Sequence, residues 1–146
     1  MKNATLFLMT LTLAGALVLS ACAAPAATAA SLSGTTWRLV STASMGTQTP
    51  AVPNVPTKLA FAKDGTLAGN LGCNSIGGSY TVKGNQITFG QLSTTLMACP
   101  DPQMAQEANA FLVLKDTAGF KLDGSTLTIT SADHGTTLTF VAAVGE

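Results

Sequence analysis

The stretch Gly69–Pro100 constrains this chain more than any other part of it. It opens with GNLGCNSIGGSY and closes with LSTTLMACP, with room for a strand pair between. Two of the three cysteines, Cys73 and Cys99, lie inside it, and glycines bunch at its start. A bond between the two cysteines would clamp the stretch into one folded unit. Whether they pair depends on the compartment, and the N-terminus addresses that.

Lys2 gives a short basic start, Ala4–Val18 is almost wholly apolar, and Leu19-Ser20-Ala21-Cys22 follows. That is the pattern of a secretory signal peptide with small residues before the cut. The last four residues look like a lipobox, the processing site of bacterial lipoproteins. This implies cleavage before Cys22, with lipid on its thiol and new amino group. An uncleaved membrane-spanning anchor is the alternative, because the apolar run is nearly long enough to cross a bilayer. The Leu-Ser-Ala-Cys ending favours lipidation. Either way the domain lies outside the cytoplasm. Ala23, rather than Asp, follows the cysteine, which points to an outer membrane where the cell has one, with the domain facing the periplasm.

Residues 1–21 are thus assigned to a signal peptide and 22–33 to a lipidated N-terminus with an Ala-, Pro- and Ser-rich tether. Residues 34–142 are the domain, which begins near Leu32 and is long enough for one core. Seven basic and seven acidic side chains balance to zero. Such a balance gives no electrostatic reason to expect nucleic acid.

Along the domain, short runs alternate between apolar and polar residues. Trp37 and Leu39 share one face of Thr35–Ser41, and Leu59 and Phe61 one face of Thr57–Phe61. Thr42–Pro56, with three prolines and no periodicity, reads as a loop. Thr66–Asn70 returns across a turn at Ala62–Gly65. Ser79–Val82 and Gln86–Gly90 form a second hairpin with Tyr80, Val82, Ile87 and Phe89 inward. Gln91–Met97 is a candidate short strand. Asp101-Pro102 reads as a helix start, with Asp101 as N-cap and Pro102 first in the helix. Met104, Ala108, Phe111, Leu112 and Lys115 then follow an amphipathic stripe, and Gly119 closes the segment. Phe120–Asp123, Ser125–Thr130 and Thr136–Ala142 complete the strands, with Leu127, Ile129, Leu138 and Phe140 inward. The class expected is α+β: a strongly curved antiparallel β-sheet or a partly open β-barrel with one amphipathic α-helix.

In an oxidising compartment two cysteines in one small domain pair as a rule. The enclosed loop predicts roughly 3–4 kcal/mol of stabilisation on the chain-entropy account. A metal site with His134 or a reactive thiol is the alternative, weakened by a single His and the lack of a CxxC. Gly72–Ser79 is a near miss to a phosphate loop, but it has no Lys and leads into a strand. Its glycines suit a tight turn and a close backbone approach. His134 lies in a turn, Arg38 reads as a surface charge, and no Ser is tied to a base. No catalytic residue, metal ligand or cofactor site is expected.

At these residues a resemblance becomes clear. Gly72-Cys73-Asn74 with Gly78 and Tyr80, Thr95-x-Met97-Ala98-Cys99, and a helix carrying Glu107 and Phe111 resemble the META/HslJ-like family of envelope proteins. Thr36-Trp37-x-Leu39 and Leu127-Thr128-Ile129 fit too. One departure is Leu96, where the family often has a basic residue. The resemblance implies a small mixed β-fold with one helix, often in a lipoprotein. It also implies a link to heat shock and tolerance of the antibiotic novobiocin, and no catalytic residues or cofactor. Its fold looks like that of lipid-binding pilot lipoproteins, an analogy that does not fix function.

Three functions are expected from this, in descending order. The first is a non-enzymatic, lipid-anchored envelope protein that binds a protein partner or an apolar ligand under stress. The second is a pilotin-like chaperone holding an acyl chain or partner helix in the barrel mouth. The third is an envelope hydrolase or transferase, which the scarcity of His and carboxylates disfavours.

Overall fold

Ten strands and one helix make up residues 32–143, which the computed structural model describes. The strands are β1 (Thr35–Ser44), β2 (Thr47–Pro50), β3 (Lys58–Phe61), β4 (Thr66–Asn70) and β5 (Ser75–Lys83). They continue with β6 (Gln86–Phe89), β7 (Ser93–Thr94), the helix α1 (Asp101–Leu114), β8 (Thr117–Asp123), β9 (Thr126–Thr130) and β10 (Thr136–Ala142). The segment assigned to a signal peptide, Cys22 and nearly all of the expected tether lie outside the described residues.

Each hairpin pairs with its neighbour, so the strand order runs β10-β9-β8-β6-β5-β4-β3-β1, all antiparallel. β1 then pairs with β10 along its length, from Trp37 opposite Ala142 to Ser44 opposite Thr136. The curved sheet therefore closes into a barrel of 8 strands, with β2 and β7 as additions. A barrel of that size is filled by its own side chains. Leu39, Leu59, Phe61, Leu67, Ile87 and Phe140 are buried at its centre, and Tyr80 meets Phe61 edge-on with ring centroids 4.9 Å apart. Leu32 is also fully buried, so the core reaches into the segment assigned to the tether. The helix packs on β1, β8 and β10.

Four local expectations need correction. The Thr42–Pro56 loop contains the hairpin β1–β2, which turns at Met45 and Gly46, both at positive φ. β2 is exposed at every residue, so it carries no buried face for a hydropathy pattern to show. A bulge between Leu39 and Ser41 also shifts the phase of β1, burying Ser41 and Thr42.

The cap of α1 is Pro100 and not Asp101. Pro100 has extended dihedrals, and its carbonyl takes the amides of Gln103 and Met104. Asp101 is the first helical residue and its side chain caps nothing. At the other end α1 stops at Leu114, and Gly119 lies inside β8.

The face of α1 is also different. Its buried residues are Gln106, Glu107, Ala110, Val113 and Leu114. Met104, Ala108 and Leu112 point to solvent and Phe111 is half-buried. The apolar stripe is real in the sequence but turned outward. The inward face carries two polar residues because partners wait for them across the sheet.

Candidate functional site

The turn between β4 and β5 brings the motif residues together. Asn70 starts it: its Oδ1 accepts the Gly72 amide at 3.0 Å and its Nδ2 donates to the Cys73 carbonyl at 2.9 Å. This folds Leu71–Asn74 against the second turn of α1. A Cβ on Gly72 would lie 2.5 Å from the Gln103 carbonyl oxygen and 3.0 Å from Glu107 Cβ. Only glycine lets the helix come that close.

Glu107 then fills the turn. Its Oε2 accepts the amides of Cys73 at 2.9 Å and Asn74 at 2.5 Å, and its Oε1 accepts Asn74 Nδ2 at 2.7 Å. Asn74 Oδ1 in turn accepts the Thr95 hydroxyl at 2.9 Å and the Met97 amide at 2.7 Å. Thr95 Oγ1 takes the Ser75 amide at 3.1 Å. Cys73 and Cys99 are disulfide-bonded with Cα atoms 5.9 Å apart, which favours the structural bond over the metal and free-thiol alternatives. Next to Glu107, Gln106 donates to the Leu71 carbonyl at 2.7 Å and accepts the Val52 amide at 2.6 Å.

Burial by itself would raise the pKa of Glu107. The three donors from Asn74 and Cys73 outweigh it and hold the carboxyl below its ordinary range. A general base is tuned the other way and needs a free lone pair facing substrate. Glu107 is 5% exposed and both of its oxygens accept hydrogen bonds from the β4–β5 turn, so its chemistry is that of a strut between helix and sheet. The sequence marked Glu107 through the family resemblance and passed over Gln106. The spacing of Ala110, Val113 and Leu114, run back one turn, lands on both.

Of the expected motif residues, Gly72, Cys73, Asn74, Thr95, Met97 and Cys99 meet at this point. Gly78 lies elsewhere, where a Cβ would come within 2.5 Å of Leu92 Cδ2 and 3.0 Å of the Gln91 carbonyl. It lets the strip Gly90–Thr94 lie flat on β5. Leu96 is 98% exposed and Met97 half so. His134 sits at positive φ in an exposed turn. Its neighbour Asp133 is committed to Ser131 Oγ and the Gly135 amide, which hold its carboxyl below the usual range.

On the far side of that strip is an open cleft of about 630 Å³. Phe89, Leu92, Phe111 and Leu112 give it apolar walls, with Gly90, Gln91 and Thr94 along one side and Lys115 at the rim. The outward helix stripe runs into its edge through Phe111 and Leu112. Among the described residues no group of acidic, His or Cys side chains is placed to hold a metal, and no helix is long and apolar enough to cross a membrane.

The profile of the META domain matches residues 30–145. The chain belongs to the META domain family. Among curated proteins no relative matches. This META domain is similar to a Burkholderia xenovorans protein solved by NMR, with 26% identity, a TM-score of 0.67, and 90% of this chain and 99% of that chain covered. A second NMR structure has 25% identity and a TM-score of 0.61, over 77% and 92% of the two chains. A DUF4847 family protein from Bacteroides vulgatus shares the fold at 13% identity and a TM-score of 0.58, over 79% and 96%.

Proposed function

We propose that this META domain protein is a non-enzymatic binding module of the bacterial cell envelope. In this reading lipid on Cys22 holds it to the membrane, and an apolar partner occupies the cleft between the Phe89–Thr94 strip and the end of α1. The cleft carries the reading. Its volume of about 630 Å³ lies in the range of ligand sites, and its walls are aromatic and aliphatic with few polar groups. Family membership fits an envelope-associated protein, and the META domain is a non-catalytic family. The buried carboxylate supports the same view, because Glu107 accepts three hydrogen bonds from Cys73 and Asn74 and holds the fold. The module would serve envelope maintenance under stress, including tolerance of novobiocin.

Native mass spectrometry of the protein purified from its own membrane in mild detergent tests this. Leu112→Asp is the useful variant, since Leu112 is 46% exposed and its loss leaves the core intact. The wild type is expected to carry a lipid, acyl or peptide species that Leu112→Asp loses with its melting curve unchanged. A wild type that carries nothing, or a variant that carries the same species, overturns the reading. For the anchor, labelled palmitate is expected on the wild type and not on Cys22→Ser. Equal labelling of both removes it.

A further inference from the structure

The cleft has two unlike walls. One is the end of α1 with Phe111 and Leu112. The other is the strip after β6: five of the six residues from Phe89 to Thr94 line it, Phe89 and Leu92 as apolar residues and Gly90 only with its backbone. This strip is bound to the barrel on one side alone. Gly90 donates to the Ser79 carbonyl, and Ser93 and Thr94 lie opposite Gly77 and Ile76 of β5. On its other side β8 pairs with β6 only over Gln86–Thr88, and one more bond, from the Phe89 amide to the Asp116 carbonyl, ends the contact. Past that point no strand lies against Gly90–Thr94 among the described residues. Among the described residues the amides of Gln91 and Leu92 have no main-chain or side-chain acceptor. Of two adjacent strand residues, one turns its N–H and C=O away from its partner. One of Ser93 and Thr94 therefore presents both groups on the side away from β5.

We infer that the occupant of the cleft is an extended peptide with a free C-terminal carboxylate, added as a strand along Gly90–Thr94. The inference rests on the cleft-binding reading above and names the occupant. Strand addition to an open sheet edge takes its affinity from main-chain hydrogen bonds and its selectivity from pockets for alternate side chains. Here alternate side chains would face Phe111 and Leu112, and the others would face solvent. The strip is about 16 Å long at the usual strand rise, which accommodates about five peptide residues. An acyl chain would cover the apolar wall equally well. It would leave the strip's amides facing hydrocarbon with no acceptor, which is costly.

Lys115 sets the direction. It is the one charged residue lining the cleft and stands at the rim beyond the last helical turn. Asp116 follows it in sequence, and its charge is felt by Asp133, but neither forms an ion pair with it among the described residues. A peptide carboxylate at this rim meets an available ammonium. The peptide would thus end near Lys115.

Fluorescence anisotropy with the full protein from the membrane tests this. The probes are a labelled five-residue peptide alternating valine and threonine, the same peptide N-methylated at alternate amides, its C-terminal amide, and fluorescent palmitate. The parent peptide is expected to bind saturably. N-methylation should weaken it about tenfold, the loss of one or two main-chain hydrogen bonds. The C-terminal amide should weaken it about threefold on the wild type and not on Lys115→Gln, as for a rim ion pair. Leu112→Asp should lose the peptide and keep its fold. Equal binding of the N-methylated peptide overturns strand addition. Binding of palmitate without peptide overturns the peptide and leaves the cleft reading standing. Failure of both probes, with nothing retained in mass spectrometry, overturns both.

Discussion

Glu107 grips Asn74 twice: its Oε1 accepts the side-chain amide at 2.7 Å and its Oε2 the main-chain N–H at 2.5 Å. The two residues lie 33 positions apart. Through this pair the helix holds the β4–β5 turn, and through Asn74 Oδ1 the turn holds the Thr95–Met97 segment. The disulfide closes the same loop covalently at Cys73 and Cys99.

Glu107→Ala leaves three donors without their acceptor in a buried site. We expect a loss of about 2–4 kcal/mol, since each unsatisfied buried group costs about 1–3 kcal/mol and the site can relax in part. Glu107→Gln restores one oxygen and should lose less. Denaturant titration measures both. A midpoint unchanged in Glu107→Ala would show that the network is idle.

The same carboxylate gives a pH dependence. Its pKa is lower in the folded protein than the unfolded value of about 4.3. Between those two values the unfolded chain binds the extra proton, so stability rises with pH there. The stabilisation is complete above the unfolded value and is lost as pH falls through the folded one. Asp64 and Asp133 are lowered too, by hydrogen bonds from Thr66 and from Ser131 and Gly135, so the wild type has a compound acid limb. Subtracting the Glu107→Gln profile isolates the share of Glu107. Parallel profiles below pH 5 would mean that its carboxyl is not shifted.

Protein exported to an oxidising compartment should show no free thiol at Cys73 or Cys99. Replacing either by Ser should cost about 2–5 kcal/mol, and replacing both about the same as one. Alkylation of the unfolded, unreduced protein followed by mass measurement checks the first point. Two labelled cysteines there would end the claim.

Truncations on the helix should separate its two faces. Leu114 is fully buried, so Leu114→Ala should cost about 2–5 kcal/mol. Phe111 is half-buried, so Phe111→Ala should fall below the 3–5 kcal/mol typical of a core Phe. Met104→Ala, on the outer face, should change stability by about 0.5 kcal/mol or less. Melting curves decide the order, and a Met104 effect equal to that of Leu114 would reverse the assigned face.

The strands were legible because their signal is local. Trp37 and Leu39, Leu127 and Ile129, and Leu138 and Phe140 each alternate with polar neighbours, and a half-buried strand needs no more than that. The paired cysteines were legible as chemistry, whereas Asn74, Thr95 and Met97 were marked only by the resemblance to the family. β2 was not, since a strand exposed on both faces has no hydropathy period.

The sequence by itself determined the fold class, the core faces of most strands and the two cysteines of the clamp. Tertiary structure alone decided the closure of the barrel, because the pairing of β1 with β10 joins the two ends of the domain and no local pattern encodes it. It also decided which face of α1 turns inward. Apolar periodicity favours Met104, Ala108 and Leu112, yet the helix buries Gln106 and Glu107. Their hydrogen-bond partners at Val52, Leu71, Cys73 and Asn74 are brought to them only when the sheet has curled. A buried polar side chain is stable when its partners are in place, and the position of those partners is a property of the fold.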